Sequence, residues 1–197
     1  MSLESYLVKN PKKYLIFDLD HTLAKLNIDW STIRREIFDF VAAIDEPLSK
    51  SVPFIPNAGI ELSNKAAKKH GKGFAKKIRT LVEEYEIAHY QNYEPNHELL
   101  DFIRNNKQTY IYYMWTSNGT RTIQDFLNKE QLSSFFLRII TQNDVSLIKP
   151  EAEGFAFLHT PGEPLSSYVM IGDSLSDKNA AKNAGIDFFE IDYFTRQ

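Results

Sequence analysis

Three apolar runs along this chain stop abruptly at polar clusters. Tyr14-Leu15-Ile16-Phe17 ends in Asp18-Leu19-Asp20, Tyr110 to Trp115 ends in Thr116-Ser117-Asn118-Gly119, and Tyr168-Val169-Met170-Ile171 ends in Gly172-Asp173. Short apolar runs of this kind predict buried strands. Ile139-Ile140-Thr141 and Phe188-Phe189-Glu190-Ile191 predict a fourth and a fifth. Helical patterns fall between them at 96–105, 121–129, 152–159 and 174–184. This alternation predicts a parallel sheet with helices on both faces. Such sheets bind ligands outside the carboxyl ends of their strands, where all three polar clusters fall.

The rhythm breaks once. Ser117, Lys149 and Asp173 follow one another at about the length of a βαβ step, whereas Asp18 and Ser117 stand roughly three such steps apart. Within the extra stretch, Ile33, Ile37, Phe40, Val41 and Ile44 recur at helical spacing, as do Phe74, Ile78, Leu81, Tyr85 and Ala88. Pro47, Pro53 and Pro56 are expected to break the chain between these two patterns. The sequence therefore predicts a Rossmann-like α/β core of residues 1–25 and 93–197, interrupted by a mainly α-helical cap over 26–92.

Composition narrows the partners. With 197 residues, 43% of them hydrophobic, the chain is long enough to bury a sizeable core. A net charge of −3 supplies no basic face of the kind nucleic acid requires, so no nucleic-acid partner is expected. The absence of cysteine excludes disulfides, thiolate metal ligands and cysteine nucleophiles. The longest apolar run, Tyr110 to Trp115, is far shorter than the roughly 20 residues of a membrane span. The polar start from Met1 to Lys13 lacks a signal-peptide core. The expectation is a cytoplasmic protein, monomeric or homodimeric, with no membrane partner.

Asp18 and Asp20 stand two apart, and in an extended chain that spacing points both side chains the same way. A carboxylate can attack a phosphate ester only where a metal ion and cationic donors neutralise the ester's negative oxygens. One carboxylate can then attack while the other handles the leaving group's proton.

Asp18-Leu19-Asp20-His21-Thr22-Leu23, Thr116-Ser117-Asn118-Gly119, Lys149-Pro150 and Gly172-Asp173-Ser174-Leu175-Ser176-Asp177 resemble, in order and context, the four motifs of the haloacid dehalogenase (HAD) superfamily. Each piece alone is common; four in sequence near strand ends are specific. The resemblance implies a phosphatase-like hydrolase with a small helical cap after the first motif. Asp18 would be the nucleophile that forms an aspartyl-phosphate, and Asp20 the general acid and base. Ser117, Asn118 and Lys149 would bind the phosphoryl group, helped by backbone donors near Leu19. Mg2+ would be held by the Asp18 and Asp173 carboxylates and the Asp20 backbone carbonyl, with Thr22 and Asp177 in support. The implied substrate is a small phosphorylated metabolite. An aspartate at position 20 favours phosphoryl transfer, because true dehalogenases of the superfamily usually lack it. His21 replaces a glycine often found there. A sugar phosphomutase of the same superfamily and a non-catalytic binding protein with the same fold are the alternatives.

Several residues have plainer readings. Asp18 and Asp20 taken alone are compatible with a turn at a strand end. Ser174 to Asp177 reads equally as a capping box, and Lys149-Pro150 as a helix-entry turn. Thr116 competes with Ser117 for the hydroxyl role. The basic stretch Lys65, Lys68, Lys69, His70, Lys72, Lys76, Lys77 and Arg79 could meet an anionic substrate from the cap, but is expected to be mainly a solvated face. His70, His89, His97 and His159 show no metal-ligand spacing. Trp30, Phe38 and Phe40 are expected to pack the cap.

Overall fold

The computed structural model describes residues 1–195. Five strands, β1 (Tyr14–Phe17), β4 (Ile111–Trp115), β5 (Phe136–Ile140), β6 (Tyr168–Gly172) and β7 (Asp187–Glu190), form one sheet in the order β5-β4-β1-β6-β7. Every neighbouring pair in it is parallel. Central β1 and β6 are buried along their whole length, which explains why they read as unbroken apolar runs. All five expected strands are present, with ends shifted by up to three residues.

Helices α5 (His97–Asn105), α6 (Gln124–Lys129), α7 (Glu153–Leu158) and α8 (Leu175–Ala184) fill the expected intervals. Their starts are chemically marked: the Asn96 side chain caps α5, and Ser174 with Asp177 forms a complete capping box on α8. An N-terminal helix, α1 (Leu3–Lys9), was not foreseen; Leu3 and Leu7 bury its single apolar stripe.

The long interval after β1 holds three helices: α2 (Trp30–Lys50), α3 (Ala58–His70) and α4 (Lys72–His89). They cover the carboxyl edge of the sheet as a helical cap. Where the chain enters and leaves this region, β2 (Ala24–Leu26) and β3 (Tyr93–Pro95) pair antiparallel, with Leu26 opposite Tyr93. Pro47 does not end α2. The break comes two residues earlier at Asp45, whose backbone leaves the helical region (φ −147°, ψ 73°) and whose side chain accepts the Leu48 N–H at 3.2 Å. Asp45 thus caps a short second segment with Pro47 in its first turn, where a missing N–H does no harm.

Candidate active site

Register decides what meets at the top of the sheet. Phe17 pairs with Met114 on one side and Ile171 on the other, so the residues that follow β1, β4 and β6 emerge at one level. Asp18, Ser117 and Asp173 therefore converge without any loop having to search for the others. All three line a cavity of about 370 Å³ together with Asp20, Asn118 and Lys149. Every expected primary site residue faces this one space.

Lys149 is 2% exposed, and its Nζ donates to Asp18 Oδ1 at 2.6 Å and to Asp177 Oδ1. Burial alone would lower the pKa of this ammonium, but Asp177 and Asp18 together push it up and keep it charged. Asp177 does two jobs with its two oxygens. Oδ1 holds Lys149, while Oδ2 accepts from the Ser174 hydroxyl and N–H in the capping box. The expected capping box is therefore present, and the same side chain also holds Lys149. Gly172 makes room for this: a Cβ there would lie 2.6 Å from the Asp177 carboxyl carbon.

The carboxylates outnumber the cation. Asp18, Asp173 and Asp177 offer oxygens within 4.8 Å of one another, against a single lysine. Burial first, and the Asp177 charge second, push the Asp18 carboxyl up; the same two causes raise Asp173 to about 6. Thr22 is fully buried, and its hydroxyl reaches Asp173 Oδ1 at 3.4 Å. A cluster that resists ionising all its members fits a divalent cation with oxygen ligands.

Asp20 is set apart from this cluster. Its Oδ1 accepts the Leu26 N–H at 2.8 Å, which ties it to the start of the cap hairpin. One edge of the carboxyl opens on the cavity, yet surrounding protein desolvates it and holds it up to about 7. The group therefore carries a proton for part of the time near neutral pH. At β4, the Thr116 hydroxyl is turned into the structure, donating to Asn118 Oδ1 at 2.7 Å and accepting the Asn118 N–H. Ser117 is left facing the cavity.

The cap holds this machinery from above at two points. Asn64 on α3 pairs with the backbone of Ile148, accepting its N–H at 3.0 Å and donating to its carbonyl at 2.8 Å, one residue before Lys149. On α4, Glu86 accepts the Gly119 N–H at 2.8 Å and the Thr122 hydroxyl at 2.6 Å. Glu83 takes the Arg121 N–H and guanidinium. Burial raises the Glu86 carboxyl to about 7.

Most of the basic stretch is exposed, and its first part is paired: Lys65 with Glu61, Lys68 with Glu151, Lys69 with Asp45. His70 also meets Asp45, and His89 meets the Tyr85 carbonyl. Arg79 departs from this pattern, being 3% exposed and turned into the cavity lining. Trp30, Arg34 and Glu86 line the cavity as well, and sequence reasoning placed none of them there. Trp30 also packs against the core, so its packing role is half of its position.

The sheet order and the helical insertion after its first strand define a Rossmann-like α/β core with a cap. Within that class the chain belongs to the haloacid dehalogenase-like hydrolases, whose family profile matches residues 15–191. Among solved structures, one assigned to the same hydrolases from Bacteroides fragilis superposes with a TM-score of 0.62 at 18% identity, over 92% of this chain and 88% of that one. A predicted phosphoglycolate phosphatase from Haemophilus somnus gives 0.55 at 19% identity, over 92% and 86%. The HAD-hydrolase YfnB from Bacillus subtilis, bound to magnesium, gives 0.51 at 19% identity, over 92% and 87%. At such identities the likeness is one of fold. No curated protein matches the chain. Among the described residues, no helix is long and apolar enough to cross a membrane.

Proposed function

We propose that this hydrolase is a Mg2+-dependent phosphatase that cleaves a small phosphorylated metabolite through an aspartyl-phosphate on Asp18. The observation that carries the reading is the pairing of two carboxyls with different environments on one cavity. Asp18 sits beside a charged lysine at 2.6 Å, and Asp20 is held at about 7. Burial raises both carboxyls, but the Lys149 ammonium opposes that rise at Asp18 and a divalent cation there would oppose it further, which leaves Asp18 the better anion and Asp20 the better acid.

In the first step an Asp18 oxygen attacks phosphorus, the ester P–O bond breaks, and the departing alkoxide takes the Asp20 proton. In the second, Asp20 takes a proton from water as the water oxygen attacks phosphorus. The bond to Asp18 breaks, inorganic phosphate leaves, and both carboxyls return to their starting states. Ser117, Asn118 and Lys149 hold the phosphoryl oxygens. The Asp18 and Asp173 carboxylates and the Asp20 carbonyl would bind Mg2+, which would supply positive charge to those oxygens. Asp177 is engaged by Lys149 and Ser174 and acts by orienting the lysine. Thr22 steadies Asp173. Residues 26–92 act as the cap over a core of 1–25 and 93–197, and closure excludes bulk water from the intermediate.

Phosphate release from a broad panel of monoesters, measured with Mg2+ and again after chelation, tests this reading. Release that stops on chelation and returns with Mg2+ is expected. No release from any ester sinks it; turnover that requires a sugar acceptor points instead to a mutase.

A further inference from the structure

The roof of the cavity carries two cations, Arg79, which is buried with little counter-charge, and Arg34, which is half-buried. Arg79 on α4 gives its Nη2 to two neutral acceptors, Asn64 Oδ1 at 3.3 Å and the Ser146 carbonyl at 3.1 Å. Its buried Nε has no hydrogen-bond partner among the described residues. Burial holds this guanidinium down to about 10, and the counter-charge that acts on it comes from Glu153. Both Glu153 oxygens are already engaged by the Ser146 and Leu147 N–H groups.

Arg34 on α2 shares one feature with Arg79. Its Nε is also buried without a partner, and its guanidinium lies over the Phe54 ring, 4.9 Å from the centroid. The Ser63 hydroxyl, a third lining group, is likewise unpartnered. A buried cation without a paired anion is costly. Groups left unsatisfied at a cavity wall are positions at which a ligand can complete the pairing.

Cavity size and shape limit that ligand. At about 370 Å³ the space lies near the small end of ligand sites. Below stand Asp18, Asp20, Ser117 and Lys149; above stand Arg34 and Arg79, with the Glu86 carboxyl engaged by the Gly119 N–H and the Thr122 hydroxyl; Trp30, Ile33, Ile37 and Val82 form apolar walls. A short molecule with a polar group at each end matches this sequence of surfaces.

We propose that the cavity takes a short phosphomonoester whose far end carries a second anion, carboxylate or phosphate, held by Arg34 and Arg79. The assignment of the near end rests on the phosphatase reading above; that of the far end rests on the cap. Arg34 and Arg79 are then the specificity-determining residues of the site, and the unpaired roof is completed only when substrate is present.

Three esters of similar length test it: 2-phosphoglycolate, 2-hydroxyethyl phosphate and ethylene glycol bisphosphate. The wild-type protein should give kcat/KM at least tenfold higher for one of the doubly anionic esters than for the neutral-tailed one. Which of the two is favoured separates carboxylate from phosphate. Arg79→Gln and Arg34→Gln should each reduce that preference severalfold, with Arg79→Lys retaining part of it. Equal rates on all three esters, or equal losses on all three in both variants, overturn the proposal. If Arg79→Gln does not fold, as judged by its melting curve, Arg34→Gln carries the comparison. Calorimetric binding of the same esters to Asp18→Asn gives a readout independent of turnover. Tighter binding of a doubly anionic ester, weakened by adding Arg34→Gln, upholds the inference even if the wild-type protein releases no phosphate. That last result would sink the phosphatase reading alone. Binding that ignores the second anion sinks the inference alone.

Discussion

The floor and the roof of the cavity treat charge in opposite ways. On the floor, Lys149 meets Asp18 and Asp177, Asp177 meets Ser174, and Thr22 meets Asp173. On the roof, Arg34 and Arg79 keep a buried Nε with no partner among the described residues. Side chains that hold one another stay in fixed places, as bond making and breaking requires, and the surplus of carboxylates among them is what a bound cation would balance. A surface with unmet donors is instead completed from outside. The contrast separates where chemistry is held from where a substrate is chosen.

The largest effect that would break this division lies on the floor. Asp18→Asn keeps the shape and removes the attacking charge, so turnover should fall by at least about a thousandfold with the melting temperature little changed. Retained turnover would leave the floor without a nucleophile. Asp20→Asn should cost on the order of a hundredfold or more on alkyl esters. The loss should shrink on p-nitrophenyl phosphate, whose leaving group needs little protonation; a uniform loss would argue against the acid role.

A smaller effect tests the seam between the two surfaces. Asn64→Ala removes the hydrogen bonds that tie α3 to Ile148 beside Lys149. About 2 kcal/mol of stability should be lost, because the Ile148 N–H and carbonyl stay buried. An unchanged denaturation midpoint would show that the seam is not a stabilising contact.

The last effect, read as a change with pH, is at Glu86. A carboxyl raised to about 7 in the folded chain binds a proton more tightly there than when unfolded. Its contribution is full below about 4.5 and is lost as pH rises through about 7, so wild-type stability should decline across that window. Glu86→Gln stays neutral and keeps an acceptor for Gly119, so its stability curve should be flatter by up to about 1.4 kcal/mol per pH unit. Parallel curves for the two proteins would remove Glu86 as the titrating group.

The floor could be anticipated from sequence because its parts lie at strand ends, and the strands that carry them are buried enough to appear as apolar runs. The roof could not. α3 buries Ala58, Gly59, Ser63, Asn64, Ala66 and Ala67, small or polar residues that leave almost no apolar period. Arg79 ends a run of exposed lysines, and Glu86 lies among Glu83, Glu84 and Tyr85, so each looks like part of a solvated face until α4 is docked. Composition also hides that Arg34 and Trp30 turn inward from a helix whose apolar spacing predicted only packing. Tertiary contact, not local pattern, gives these residues their environment.

The β2–β3 pairing has a consequence for the chain's architecture as a whole. Because Leu26 lies opposite Tyr93, an excursion of about 65 residues begins and ends at adjacent points. The core therefore sees the interruption as a single hairpin, and the entropic cost of its length grows only logarithmically. A region joined in this way can change in length without moving the ends of the strands that carry it. Replacing residues 27–92 by a two-residue turn should leave a folded core, a modular boundary placed by three pairs of residues.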